Sequence, residues 1–140
     1  MKKLWFILAI LWTAVIFSFS RATGDESSSL SLWITERAKP IWDYLFSMHP
    51  IDLDTLHMII RKAAHVFEFL VCGVFWSLAM PGRGYKIVIL LSIGLCISLF
   101  DELGQIFVEG RSASLVDALV FDLPGFIVGI QAGIWKKQTK

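Results

Sequence analysis

Charge is scarce in this chain. Only 18% of its 140 residues are Asp, Glu, Lys or Arg, against 56% that are hydrophobic. That balance excludes an ordinary soluble domain of this length and points to an integral membrane protein. The net charge is +1, too small for a nucleic-acid partner held by bulk electrostatics. Cysteine is nearly missing: Cys72 and Cys96 each fall inside an apolar run, which excludes a disulfide framework and reads as two small buried hydrophobes. There is no P-loop, no GxGxxG, no CxxC and no HExxH. The common phosphate cradles, redox pairs and zinc-protease sites are thereby excluded.

Long apolar runs are abundant. Stretches of about 20 predominantly apolar residues mark transmembrane helices, and four occur, at about 4–20, 59–80, 85–107 and 115–135. PGRG at Pro81–Gly84 and VEGRS at Val108–Ser112 are sharp breaks, too short to hold domains. Consecutive helices must therefore run antiparallel. The expected fold is all-α: one domain spanning 1–140, an integral membrane four-helix bundle with an interfacial helical segment between its first and second spans. An N-terminal Met1-Lys2-Lys3 before an apolar run also resembles a secretory leader, but this run is long and carries Trp5 and Trp12. It is read as the first span.

If the spans alternate, Lys2, Lys3, Arg83, Lys86, Lys136, Lys137 and Lys140 share one side. They sit in two termini and one tight loop, where the positive-inside rule counts most. Arg21, Arg37, Lys39, Arg61, Lys62 and Arg111 take the other side, mostly along one extended connection. The expected placement is the bacterial cytoplasmic membrane, multi-pass, with both termini cytoplasmic.

That connection contains an amphipathic segment at about 28–48. Leu30, Trp33, Ile34, Ile41, Tyr44 and Leu45 recur at three- and four-residue steps, the signature of a helix with one apolar face. Pro40 interrupts the pattern where it can split into two short helices. Trp and Tyr favour the headgroup region, so the segment is expected to lie on the outer leaflet as an anchor, or partly as a lid. His49 and His57 read as loop and helix-start residues.

The scarce charges gather near the outer ends of the spans. Lys62, His65 and Glu68 step by three and share one helix face. Asp101, Glu102 and Gln105 close the third span, and Arg111, Asp117 and Asp122 open the fourth. Ionisable groups at such depth cost about 2.5 kcal/mol or more each, so they read as a site. His65, Glu68, Asp101 and Glu102 are the candidates for acid–base chemistry. Lys62, Gln105, Arg111, Asp117 and Asp122 are the candidates for ligand binding, with the Arg111 fork suited to phosphate. Ser114 is a candidate N-cap with Asp117 as its capping-box acid. No cofactor follows from these residues, and a metal set such as His65 with Glu68 and Asp101 stays open. Gly125, Gly129 and Gly133 form a small-xxx-small stripe, suited to close helix contact and possible self-association.

The ordered combination FSFS at Phe17–Ser20, RKAAHVFEF at Arg61–Phe69, FDELGQIFVEGRSASLVD at Phe100–Asp117 and DLPGFIVG at Asp122–Gly129 resembles the VanZ-like family over essentially the whole chain. The resemblance implies a small bacterial membrane protein of the cell envelope, its namesake being linked to low-level teicoplanin resistance, and carries no settled reaction. One departure stands out. The family's two acids in the last helix are four apart, whereas Asp117 and Asp122 are five apart. Five steps turn a regular helix by about 500°, which leaves them about 140° apart. Either a π-bulge realigns them or only one faces the site, and spacing from Arg111 favours Asp117. Three functions fit: binding or modulation of a lipid or lipid-anchored envelope ligand, an enzyme acting on a phosphate-bearing lipid or lipid-linked precursor, or a salt-bridged bundle without a ligand.

Overall fold

The computed structural model describes residues 2–21, 24–80, 86–109 and 113–138, apart from the side chains at 24–27, 30 and 136–138. All regular structure among these residues is helical: α1 (Lys2–Ser20), α2 (Gly24–Leu45), α3 (Leu53–Ala79), α4 (Lys86–Gln105), and a last helix built from α5 (Leu115–Asp117), a π-helical turn (Ala118–Asp122) and α6 (Leu123–Gln138). Three stretches, Lys2–Ser20, Lys86–Gln105 and Leu115–Trp135, are long and apolar enough to cross a membrane, which makes this a multi-pass membrane protein. The second expected span falls within α3. That helix has 27 residues, about 40 Å of length, but it carries Asp54, Arg61, Lys62, His65 and Glu68 within its first 16 residues and it is not among the three.

Packing follows from where the apolar atoms go. Leu4, Ile7, Leu11 and Phe19 of α1, Val88, Phe100 and Leu103 of α4, and Leu119 and Val120 of the last helix point outward. Ile16, Phe69, Leu90, Ile97, Phe126 and Ile130 fill the interior. With apolar side chains on both sides, the bundle has no need of a polar exterior along its length, as expected in hydrocarbon.

α3 is the axis of the bundle, packed against α1, α2 and α6. α1 runs antiparallel to it: Phe6 meets Trp76 edge-on at 5.7 Å, and the Trp12 indole donates to the Glu68 carbonyl at 2.9 Å. The α3–α6 contact is the most intimate. A Cβ on Gly125 would lie 2.5 Å from the Val66 carbonyl oxygen, Gly129 abuts the Leu70 carbonyl in the same way, and Gly133 faces the Ser77 side chain. The close helix contact that the stripe announces is thus made by α3 of the same chain. At the far end of α3, Lys86 donates its ammonium to the Ser77 carbonyl at 2.9 Å, which satisfies one of the orphan acceptors of a helix C-terminus.

Two local expectations are corrected. Pro40 lies inside α2 without ending it, so the amphipathic segment is one helix of 22 residues. Its Trp33, Ile34, Ile41, Tyr44 and Leu45 are exposed. α2 is held to the start of α3 by the Ser31 hydroxyl and His57 Nε2, 2.6 Å apart, a partner for His57 that lies too far along the chain to be seen in sequence. Both cysteines are free, but only Cys72 is buried; Cys96 faces outward from α4.

Candidate functional site

One end of the bundle collects most of the buried polar residues among those described. The last residue of α1 (Ser20), the last turns of α4 (Ser98, Asp101, Glu102 and Gln105) and Asp122 of the π turn are all buried. His65 of α3 is half-buried beside them. Antiparallel alternation explains the meeting: the end of α1, the first half of α3, the end of α4 and the start of the last helix share one side.

The outermost layer is the ion pair of Lys62 and Asp117, whose side chains are 32% and 27% exposed. The Lys62 ammonium also lies 5.1 Å from the Phe121 ring centroid. Asp117 is available for this because its capping duty is taken by another residue. In a capping box the acid three residues beyond the N-cap reaches back to the N-cap amide. Here Ser114 caps α5 by accepting the Asp117 amide at 3.2 Å, while the Ser114 amide is taken at 2.6 Å by Glu102 of α4. Glu102 therefore docks the last helix onto α4, and the Asp117 carboxylate turns to α3.

The five-residue spacing of the two acids is resolved by the π turn at Ala118–Asp122. The widened turn brings both acids round to α3, Asp117 to Lys62 and Asp122 to His65. Its signature is the Leu123 amide bonded to the Ala118 carbonyl, five residues back. That carbonyl also accepts the Ser98 hydroxyl at 2.8 Å, which ties the turn to α4. Pro124 follows at once. It has no N–H to offer the Val120 carbonyl, and its ring crowds that oxygen in a regular helix, so a looser turn just ahead of it is favoured.

The innermost layer is His65, Asp101 and Asp122. Asp101 is well held: Ser20 Oγ donates to its Oδ1, and Gln105 Nε2 donates to its Oδ2 at 3.3 Å. Asp122 is not. His65 Nδ1 stands 3.4 Å from Asp122 Oδ1, yet neither makes a hydrogen bond, and both Asp122 oxygens are buried without one. An acceptor left this way forfeits about 1–3 kcal/mol, more when charged. One nitrogen of His65 and one oxygen each from Asp101 and Asp122 lie within 4.8 Å of one another. The arrangement can bind a cation or hydrogen-bond donors, or exchange protons between an imidazole and a carboxylate.

Of the residues singled out from sequence, Lys62, His65, Asp101, Glu102, Gln105, Asp117 and Asp122 converge on this end. Glu68 lies one turn beyond His65 and is half-buried; it is outside the three-residue group, where Asp122 takes the place that sequence gave it beside His65 and Asp101. Arg111 lies outside the described residues. Sequence reading missed Ser98, and reads Ser20 as a helix-packing serine or, alternatively, as one facing the polar mouth, where it lies. An isolated serine in an apolar helix carries no signal of its own; the only hint was that Ser20 ends its span on the charged side.

A family model described as VanZ/LLP1 matches residues 5–136. No curated protein and no solved structure matches the chain.

Proposed function

This chain belongs to the VanZ/LLP1 family, and from that membership and its polar end we propose that it binds the head group of a membrane lipid or lipid-anchored envelope molecule while the apolar part of that ligand stays in the bilayer. The observation that carries this is a half-exposed ion pair set among outward-facing apolar side chains. Lys62 and Asp117 reach the surface, with Met58 and Ile59 exposed one turn away on α3 and Val120 exposed on the last helix. An amphiphile complements such a mouth, with charge at the pair and chains along the flanking residues. The basic residues at the start of α1 and of α4 favour cytoplasmic placement of the other end, so the mouth is taken to face outward, where lipid-anchored glycopeptides and envelope precursors reside. The family's namesake supports a ligand of the glycopeptide-resistance type.

Native mass spectrometry of the full chain, incubated with a bacterial envelope-lipid extract, tests this. Wild type should retain one amphiphile class, and Lys62→Gln should reduce retention at least tenfold. Equal retention by both proteins refutes the reading. A second reading, a membrane enzyme using acid–base chemistry on a phosphate-bearing lipid, is favoured by the 3.4 Å approach of His65 to Asp122. Product formation abolished by His65→Gln, with binding kept, would select it.

A further inference from the structure

The deepest layer of the polar end has a chemistry that an amphiphile's head group at the mouth does not account for, since Lys62 and Asp117 lie between it and the surface. Asp122 is fully buried, Asp101 is 1% exposed, and Lys62 above them is committed to Asp117. Two carboxylates at such close quarters repel each other, and a buried charge without compensation is among the costliest features a fold can carry. Hydrogen bonds do not relieve Asp122, because neither of its oxygens makes one.

We infer that His65 Nδ1, Asp101 and Asp122 form a binding site for a single divalent transition-metal ion of the zinc or manganese class. The donor set is one imidazole nitrogen and two carboxylates, which suits such ions better than magnesium or calcium, whose preference is for oxygen alone. The spacing agrees. Two ligands each about 2.1 Å from a tetrahedral ion stand about 3.4 Å apart, and His65 Nδ1 and Asp122 Oδ1 are 3.4 Å apart. The third ligand atom is within 4.8 Å of the others, a gap that a small side-chain rotation closes. Charge agrees as well, because two carboxylates and one dication cancel. Asp101 already has the outer support that ligating carboxylates need, from the Ser20 hydroxyl and the Gln105 amide. Those two contacts draw α1 and α4 into the site, while His65 and Asp122 bring α3 and the last helix, so one ion would cross-link all four. The site is independent of which ligand occupies the mouth.

The test uses untagged full-length protein in detergent, stripped with a chelator and then dialysed against Zn2+, Mn2+ or Mg2+ before elemental analysis. The expected result is about one zinc or manganese per chain, little magnesium, and a melting temperature that rises with the bound ion. His65→Gln and Asp122→Asn should each weaken binding at least tenfold, Ser20→Ala about tenfold through Asp101, and Asp43→Asn, exposed on α2 and paired with Lys39, should leave it unchanged. Should Asp122→Asn fail to fold, wild type and His65→Gln decide the matter between them. Metal bound equally by wild type and His65→Gln, or no retention by wild type, overturns the inference.

Discussion

Replacing Gly125 by alanine probes the contact on which the polar end rests. A Cβ there would lie 2.5 Å from the Val66 carbonyl oxygen and 3.2 Å from Val66 Cα. The carbonyl would have to retreat by 0.5 Å to reach 3.0 Å, below which real contacts are not seen, and by 0.9 Å to reach ordinary contact at 3.4 Å. The obstructing atoms are backbone, so no rotamer change absorbs the clash and α3 and α6 must part. Overpacking of this kind costs about 1–3 kcal/mol, with the upper part of that range expected for a rigid neighbour. Alanine recovers about 1 kcal/mol of helix propensity over glycine, so the net loss should be about 1–2 kcal/mol. Val66 adjoins His65 and Gly125 lies three residues past Asp122, so the His65–Asp122 separation should widen as well. The assay is reversible unfolding in mixed micelles, with Gly104→Ala as control: a Cβ at Gly104 meets nothing within 4 Å, and that variant should be neutral or more stable by up to about 1 kcal/mol. If Gly125→Ala is as stable as the parent while the control behaves, the close approach of the two helices is refuted.

Three further outcomes follow from the same structure. A double-mutant cycle of Lys62→Ala and Asp117→Ala should give a coupling of about 0.5–1 kcal/mol, discounted for exposure at the mouth; zero coupling denies the pair. Ser98→Ala should cost about 1 kcal/mol by removing a buried donor from the Ala118 carbonyl, and unchanged stability would mean the hydroxyl does not support the π turn. At the start of α3, the amide and hydroxyl of Thr55 bond the Asp52 carboxylate and hold its pKa below the ordinary value of 3.8. A lowered pKa means the cap is fully effective above the unfolded value and is lost as pH falls through the folded one. Amide exchange at Thr55 should therefore speed up, beyond its intrinsic rate, only in strong acid, and Asp52→Ala should show the faster exchange at neutral pH.

The bundle was legible because its signals are local: apolar runs of membrane length, and Lys62, His65 and Glu68 at offsets that helical geometry converts directly into a shared face. What escaped depended on non-local partners. Pro40 was read as a break, but only one interior amide is lost in α2, and contacts to α3 carry the rest. The glycine stripe announces close approach without saying to what; the helix that approaches is α3. Asp117 looked like a capping acid because its competitor for the Ser114 amide, Glu102, sits on another helix. The two-way choice at Asp117 and Asp122 could be posed from spacing alone; deciding it needed the combined effect of Pro124 and the Ser98 hydroxyl, neither of which is visible as a period.

The π turn also changes what counts as the same position in two such chains. A five-residue step through Ala118–Asp122 delivers its acids to the face that a four-residue step would reach through a regular turn. A related chain one residue shorter here would keep Asp122's counterpart beside the histidine and every glycine below it in register with α3. The turn works as an expansion joint: it confines a length difference to one loop of backbone, so homologous chains should be aligned with their gap inside this turn and nowhere else in the last helix.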